Sequence, residues 1–260
     1  MVTLFEIQTP IQLITLEGSD GGMKLYLDGF YQFDTETERH YHGFIATFPM
    51  VMHGAAERVL ILGGGDALAL RDTLKFPVTE VFLVELDPEM IRFASKPPMN
   101  QLNEGALEDL RARVIIGDAL EEVNRFPAKY FDVIIADFPA ATSPELEKLY
   151  VPGFYDKILS KLAPDGIFVS QISEDAAFAR ELRKYLEATL GHGMTVVVHP
   201  KITENQPFVY GSRRPFEIRR EPPADSVVAA ALPGLSREIA SGKKVIGYTP
   251  SRKVYRGPLL

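Results

Sequence analysis

The chain has 260 residues, enough for one large domain, or one domain with a small appendage, and for a substantial core. Acidic side chains outnumber basic ones by 35 to 28, giving a formal net charge of −7 with no Lys/Arg block. That balance argues against a nucleic-acid partner and accords with a cationic small molecule. Zero cysteines exclude disulfides, thiolate metal sites and a cysteine nucleophile. The opening MVTLFEIQTP has no basic stretch before an apolar core, and no apolar run approaches a membrane span, so no membrane partner is expected and the cytoplasm is the expected compartment.

Residues 11 to 33 alternate around GSDGG and predict a β-hairpin or small antiparallel sheet. From Glu57 onward apolar strands alternate with helical periodicity, the rhythm of a parallel, doubly wound sheet. The predicted strands are RVLILG, EVFLVELD, ARVIIGDA, YFDVIIADF, GIFVSQIS and MTVVVHPKI, with PFVYGSR as an antiparallel edge. Helices are predicted near 67 to 76, 88 to 96, 119 to 126, 144 to 162 and 175 to 190, the last behind a capping SED. The fold class is therefore α/β: a seven-stranded, Rossmann-like sheet resembling class I methyltransferases, preceded by a small N-terminal β-hairpin domain. The expected division is a β domain over 1–53, a nucleoside-binding α/β domain over 54–215, and an extension over 216–260. This last part lacks strong periodicity and is expected as a lid, a peripheral wrap or an oligomer contact.

RVLILGGGD, from Arg58 to Asp66, reads as a strand, a tight turn through Gly63, Gly64 and Gly65, and a helix start; Glu85 follows Asp66 by nineteen residues at the end of the next strand. That arrangement makes a nucleotide site, with Glu85 placed to accept from both ribose hydroxyls. The third glycine of a dinucleotide fingerprint is missing, since Leu68 occupies its position, and Asp66 puts a negative charge where a pyrophosphate would bind. The site therefore suits an adenosine with a cationic tail: S-adenosylmethionine or its decarboxylated form. A plain tight turn with Asp66 as an ordinary N-cap is the simpler alternative.

Ligands of open α/β sheets lie beyond the carboxyl ends of the strands. Acids stand at four of these ends: Asp66, Glu85 with Asp87, Asp118 in GDA, and Asp137 in ADFP. Asp118 with the Ala119 amide can read adenine, or Asp118 can simply cap the following helix. Unpaired carboxylates crowding one cleft raise each other's pKa values, which a cationic ligand would relieve. His42 in RHYHGF, beside His40 and Tyr41, can be either a site residue or a packed one. Gln171, His199, Glu204 and Gln206 can face the cleft or serve local structure. No His/Asp/Glu spacing suggests a metal.

LYLDGFYQ, ERHYHGF, LILGGGDALALRD, VELDP, GDA, ADFPAATSPELEKLYVPGFY and DGIFVSQ together resemble the spermidine synthase, or polyamine aminopropyltransferase, family over about residues 13 to 212. The resemblance implies that Asp66, Glu85, Asp118 and Ala119 bind the nucleoside. Gln32, Tyr41 and His42 would approach the sulfonium end and the acceptor channel, with Tyr41, His42 and Asp137 in the catalytic set. Asp137 to Tyr150 would form a gatekeeping loop, and the chain would assemble as a homodimer or homotetramer. Two positions depart from the family pattern: Ala140 replaces the second Asp of the loop, which orients or deprotonates the attacking amine, and Gly43 replaces a Glu that holds a polyamine's distal ammonium. The expected function is accordingly alkylation of a small, amine-containing acceptor other than putrescine, using decarboxylated or intact S-adenosylmethionine as co-substrate and no metal. Methyl or aminocarboxypropyl transfer from intact S-adenosylmethionine, and a non-catalytic nucleoside-binding homologue, are the alternatives.

Overall fold

The computed structural model describes residues 2–19, 22–139, 144–172, 176–199 and 206–250. A four-stranded antiparallel sheet comes first, in the order β1 (Val2–Gln8), β2 (Leu13–Ser19), β3 (Gly22–Leu27) and β4 (Phe30–Asp34). The predicted hairpin is β2 and β3, with Ser19 opposite Gly22. β1 escapes the sequence pattern because it is an edge strand with mostly exposed side chains. Alternate residues Ile14, Leu16, Leu25 and Phe33 form the buried face and pack on Leu68, Met90, Phe93 and Met99 of the larger domain.

Asp34 accepts from the Glu36 and Thr37 amides and turns the chain into helix. α1 (Glu38–His42), a π turn (Gly43–Thr47) and α2 (Phe48–His53) follow, ended by Gly54 at φ 85°. Their side chains Phe44, Ile45, Phe48, Met50 and Val51 join the core of the main sheet. By packing, the small sheet ends at Asp34, and 38–53 goes with the larger domain rather than with the β strands.

The main sheet has eight strands: β5 (Arg58–Gly63), β6 (Glu80–Glu85), β7 (Ala112–Ile116), β8 (Phe131–Asp137), β9 (Leu162–Gln171), β10 (His192–Val198), β11 (Gln206–Ser212) and β12 (Val245–Tyr248). Their spatial order is β12-β10-β11-β9-β8-β5-β6-β7. α3 (Leu68–Leu74), α4 (Pro88–Ala94), α5 (Met99–Leu102), α6 (Ala119–Glu122), α7 (Pro144–Glu147), α8 (Pro152–Lys161) and α9 (Ala176–Leu190) connect them. Along β5, Val59 and Ile61 join one core and Leu60 and Leu62 the other, so the sheet is covered on both faces. Parallel pairing of β5 with both β6 and β8 makes their junction the switch point of the sheet, where a ligand crevice opens.

Two sequence expectations are corrected. PFVYGSR is antiparallel as expected but lies inside the sheet, between β10 and β9, because its side chains are buried on both faces. The edge belongs instead to β12, which comes from the C-terminal segment and pairs parallel with β10. That segment also forms α10 (Val227–Ala240), capped by Ser226, whose Val227, Val228, Ala231 and Leu235 are buried against the domain. Pro233 and Gly234 in mid-helix hide its periodicity in sequence. SED at 173–175 lies outside the described residues. Among the described residues no helix is long and apolar enough to cross a membrane.

Asp87 joins the two sheets. It is fully buried, caps α4 through the Glu89 amide at 3.0 Å, and accepts from Thr9 Oγ1 at 2.7 Å and Gln12 Nε2 at 3.1 Å. Asp87→Ala removes a cap and strands a buried hydroxyl, so unfolding free energy is expected to fall by about 2 to 3 kcal/mol. Urea denaturation measures it; an unchanged midpoint would show that this joint carries no energy.

Candidate active site

β5 ends in a turn that only glycine can make. Gly63 and Gly64 have φ of 79° and 68°. A Cβ on Gly63 would lie 2.2 Å from the Asp137 carbonyl oxygen, and one on Gly65 would lie 2.5 Å from Glu85 Oε2. The glycines therefore let the backbone pass between the ends of β8 and β6, bringing their carboxylates to the turn. Asp66 follows, its Oδ1 accepting from the Leu68 amide at 2.8 Å. Asp66 thus serves the start of α3 from one residue before the cap position, which Ala67 occupies in the left-handed region at φ 66°.

Glu85 is buried, with Oε1 accepting from the Asp87 amide at 2.8 Å. Burial, then the Asp87 charge and more weakly that of Asp66, push its carboxyl up to about 7 against the hydrogen bonds it accepts. Asp137, the register partner of Gly63, is pushed up to about 6 by burial and by Asp66, while His42 and the Tyr41 hydrogen bond pull it down. Crowding of the acids therefore does raise these values, but burial is the larger cause. Asp118 caps α6 through the Leu120 amide at 2.8 Å, using one oxygen, and the Gly117 amide ties the same turn to the Glu85 carbonyl at 2.9 Å. Capping and nucleoside recognition are compatible in this geometry. Ala119, at the start of α6, is buried beside it. Asp87, by contrast, is turned away into the joint between sheets and leaves the set of cleft acids.

The Tyr41 hydroxyl donates to Asp137 Oδ1, and burial with the Asp137 charge holds its pKa well above the ordinary tyrosine value. His42 is buried behind it, its ring edge-on to Tyr41 at 5.0 Å and to Phe33 at 6.4 Å. Its Nδ1 faces Glu38, 2.9 Å from Oε2 and 2.8 Å from the backbone carbonyl. Gln32 occupies a bulge in β4, and its amide donates to the Phe30 carbonyl at 3.1 Å. Among the described contacts it touches none of the cleft acids. Tyr150 donates to the Pro139 carbonyl at 2.7 Å and ties the far end of the Asp137–Tyr150 segment to its start. Ala140 and Glu204 lie outside the described residues.

Gly43 does not open on a charged pocket. A Cβ there would meet Val227 Cγ2 at 2.4 Å, so α10 fills the space a side chain would take. Gln171 closes β9 opposite Phe208, and Gln206 opens β11 opposite Val198. His199 is drawn toward β12 by its amide, which donates to the Tyr248 carbonyl at 2.8 Å.

Sequence reasoning passed over Glu38 and Arg71. Arg71 donates to Glu38 through both terminal nitrogens, at 3.0 and 2.9 Å, and to Asp72 at 2.8 Å, and all three side chains are buried. The available signal was an arginine inside the apolar helix LALRDTL. One further grouping is invisible in sequence spacing. His53, Asp132 and Asp165 each bring a ligand atom within 4.8 Å of the others at the amino ends of β8 and β9, away from the cleft. The carboxylates there are engaged, Asp132 by the Glu57 and Arg58 amides and Asp165 by Arg214.

The raised Glu85 carboxyl has a consequence for the ligand-free protein. A carboxyl whose folded pKa lies above its ordinary value stabilises fully at low pH and loses that contribution as pH rises through the folded value, here about 7. Glu85→Gln is therefore expected to gain on the order of 2 kcal/mol at pH 8, a rise of several degrees in Tm, and next to nothing at about pH 4, below the ordinary carboxyl value. Thermal scans at both pH values check this; equal Tm at pH 8 would refute the strained carboxylate.

Comparison with known proteins identifies the family. The profile of the spermine/spermidine synthase domain matches residues 38–205. Polyamine aminopropyltransferase 2 of Aquifex aeolicus (strain VF5) is 36% identical over 214 residues, 80% of this chain and 43% of that protein. Polyamine aminopropyltransferase 1 of Streptomyces coelicolor is 42% identical over 146 residues, 55% of this chain and 27% of that protein. The chain spans less than half the length of either relative. Among solved structures, a spermidine synthase in complex with the transition state analogue AdoDATO superposes with a TM-score of 0.74 at 27% identity, covering 82% of this chain and 74% of that one. The Thermotoga maritima spermidine synthase gives 0.71 at 27% identity, covering 82% and 73%. With the profile spanning the helix that carries Tyr41, the glycine turn and all four strand-end acids, the chain belongs to the spermine/spermidine synthase family.

Proposed function

We propose that this chain transfers the aminopropyl arm of decarboxylated S-adenosylmethionine to a small amine acceptor other than putrescine. The observation that carries the reading is the convergence of Asp66, Glu85, Asp118 and Asp137 on one crevice with no lysine or arginine partner among the described residues. Burying anions without cations is costly, and a sulfonium nucleoside with an ammonium tail supplies the missing charge. The name of the AdoDATO-bound neighbour supports the same ligand class.

In this reading Glu85 accepts from the ribose hydroxyls, Asp118 and the Ala119 amide meet the adenine, and Asp66 and Asp137 face the cationic end. The acceptor nitrogen bonds to the carbon next to sulfur while the carbon–sulfur bond breaks, its electron pair going to sulfur, and methylthioadenosine departs. Asp137, held by Tyr41, orients the amine and takes its proton. Ala140 leaves no carboxylate at the position of the family's second Asp for that task. The packing of Val227 and Val228 over Gly43 supports an acceptor whose far end carries no ammonium, because the position that would hold one is apolar and filled. Lacking that second acid near the tail, the site also admits intact S-adenosylmethionine as the second reading.

Product analysis tests the chemistry. Incubation with decarboxylated S-adenosylmethionine and a panel of monoamines is expected to release methylthioadenosine, whereas putrescine supports turnover far below the ordinary enzymatic range of about 1 per second and above. S-adenosylhomocysteine from the intact cofactor would favour the second reading, and brisk spermidine formation would overturn the acceptor assignment.

Restoring a carboxylate at 43 separates packing from charge. Gly43→Glu alone is expected to cost about 3 kcal/mol or more, since it forces a charged side chain into Val227. Val227→Ala in the same chain should recover part of that loss. Equal urea midpoints for the Gly43→Glu and wild-type proteins would show that α10 does not seal this position.

A further inference from the structure

The buried cluster behind Tyr41 has a chemical role that its packing alone does not require. Glu38 and Arg71 already satisfy each other as a bidentate pair, and Arg71 also holds Asp72. Arg39 lies 3.7 Å from Glu38, and Lys75 lies 3.3 Å from Asp72 and within 4.0 Å of Glu104 and Asp225. Glu38 therefore has cationic partners before His42 is counted. Yet Glu38 Oε2 also accepts His42 Nδ1 at 2.9 Å. The charged and titratable groups facing this ring are Glu38 and Tyr41 of its own helix, Arg71 of α3, Asp66 of the glycine turn and Asp137 at the end of β8. A neutral imidazole needs no such ring of anions. A cation does, and two of those anions, Asp66 and Asp137, are cleft acids with no lysine or arginine ion pair among the described residues.

We propose that Glu38, clamped by Arg71, is a positioning residue that keeps His42 an imidazolium at neutral pH, and that this buried cation keeps Asp137 ionised for the adenosyl sulfonium. Burial would depress the histidine, but its hydrogen bond with Glu38, with the charges of Asp66 and Glu38, outweighs burial and the opposing Arg71, and the ring's pKa is raised. Asp137 is pushed up to about 6 with the His42 charge among the groups that lower it, so loss of the cation raises it further. Arg71 provides the geometry: its planar fork fixes both Glu38 oxygens, leaving one directed at the ring. The inference rests on the proposed ligand only for its functional consequence.

His42→Gln is the main variant, because it removes the charge and leaves the Glu38–Arg71 pair intact. Glu38→Gln is the second, for it takes from Arg71 one of its two carboxylates and is expected to fold less stably. In the ligand-free proteins, NMR titration should find the wild-type His42 ring protonated through pH 7. It should find the Asp137 carboxyl titrating at least one pH unit higher in His42→Gln. Calorimetry then compares decarboxylated S-adenosylmethionine with uncharged methylthioadenosine at pH 6.5 and 8.5. The variant should bind the cationic nucleoside about tenfold more weakly than wild type at pH 6.5, recover at pH 8.5 as Asp137 ionises, and bind methylthioadenosine like wild type at both. A merely structural role would weaken both nucleosides at both pH values. A neutral His42 ring at pH 7 in the wild type, or an Asp137 titration unmoved in His42→Gln, overturns the proposal. If neither nucleoside binds the wild type, the proposed function fails, and the two NMR titrations still decide this one.

Discussion

Everything at the crevice depends on a backbone with no side chains passing between two acids. Gly63 sits so close to the Asp137 carbonyl that a Cβ would push the end of β8 away from β5, and Gly65 sits so close to the Glu85 side chain that a Cβ would displace its carboxylate. Parallel pairing of β5 with both neighbours places those ends at the switch point. The short turn then delivers Asp66 to the start of α3. One local requirement for left-handed, unsubstituted backbone thereby sets the spacing of three of the four carboxylates.

That spacing is expensive for the protein alone. Glu85 and Asp137 are both pushed toward neutrality by burial, which means the ligand-free fold holds them against their preference to be hydrated. Active sites store instability in this way, and stabilising the empty state by neutralising an acid would weaken binding of a cation. Asp87 shows the contrast a few atoms away. It is more deeply buried yet fully engaged by Thr9, Gln12 and the α4 amide, so it bonds the sheets together and has nothing to offer a ligand.

The parts legible in sequence were those whose signal is local. The glycine turn, the strand-end acids and the alternation of strands and helices all follow from residue order, and each stands in the structure. Partnership was not legible. Nothing in VELDP tells Glu85 from Asp87, because their fates depend on Gly65 on one side and on Thr9, seventy-eight residues from Asp87, on the other. Glu38 in a charged run resembles surface until Arg71 arrives from α3 to bury it. β12 and α10 stayed hidden for a different reason: a four-residue edge strand and a helix interrupted by Pro233 and Gly234 carry little periodicity. Gln32 was placed through the resemblance, and the β4 bulge that fixes its backbone leaves no pattern in sequence.

Gly43 and α10 make one unit, and this bears on how the acceptor side differs from the family pattern. A Cβ at 43 would lie 2.4 Å from Val227 Cγ2 and 3.6 Å from Val228 Cγ2, so these buried valines fill the space a side chain there would take. Neither change is tolerable alone: a carboxylate at 43 without room would be crushed and desolvated, and valines over a carboxylate would leave it unpaired. Charge and packing at this wall must therefore change together. The C-terminal helix, which lies past the end of the family match at residue 205, thus forms the wall over Gly43. Because α10 also packs beside the π turn and α1, its position is coupled to the helix that carries Tyr41 and His42. The wall at Gly43 and the cluster around His42 thus share one short helical segment, and a substitution on its α10 side acts on the packing of both.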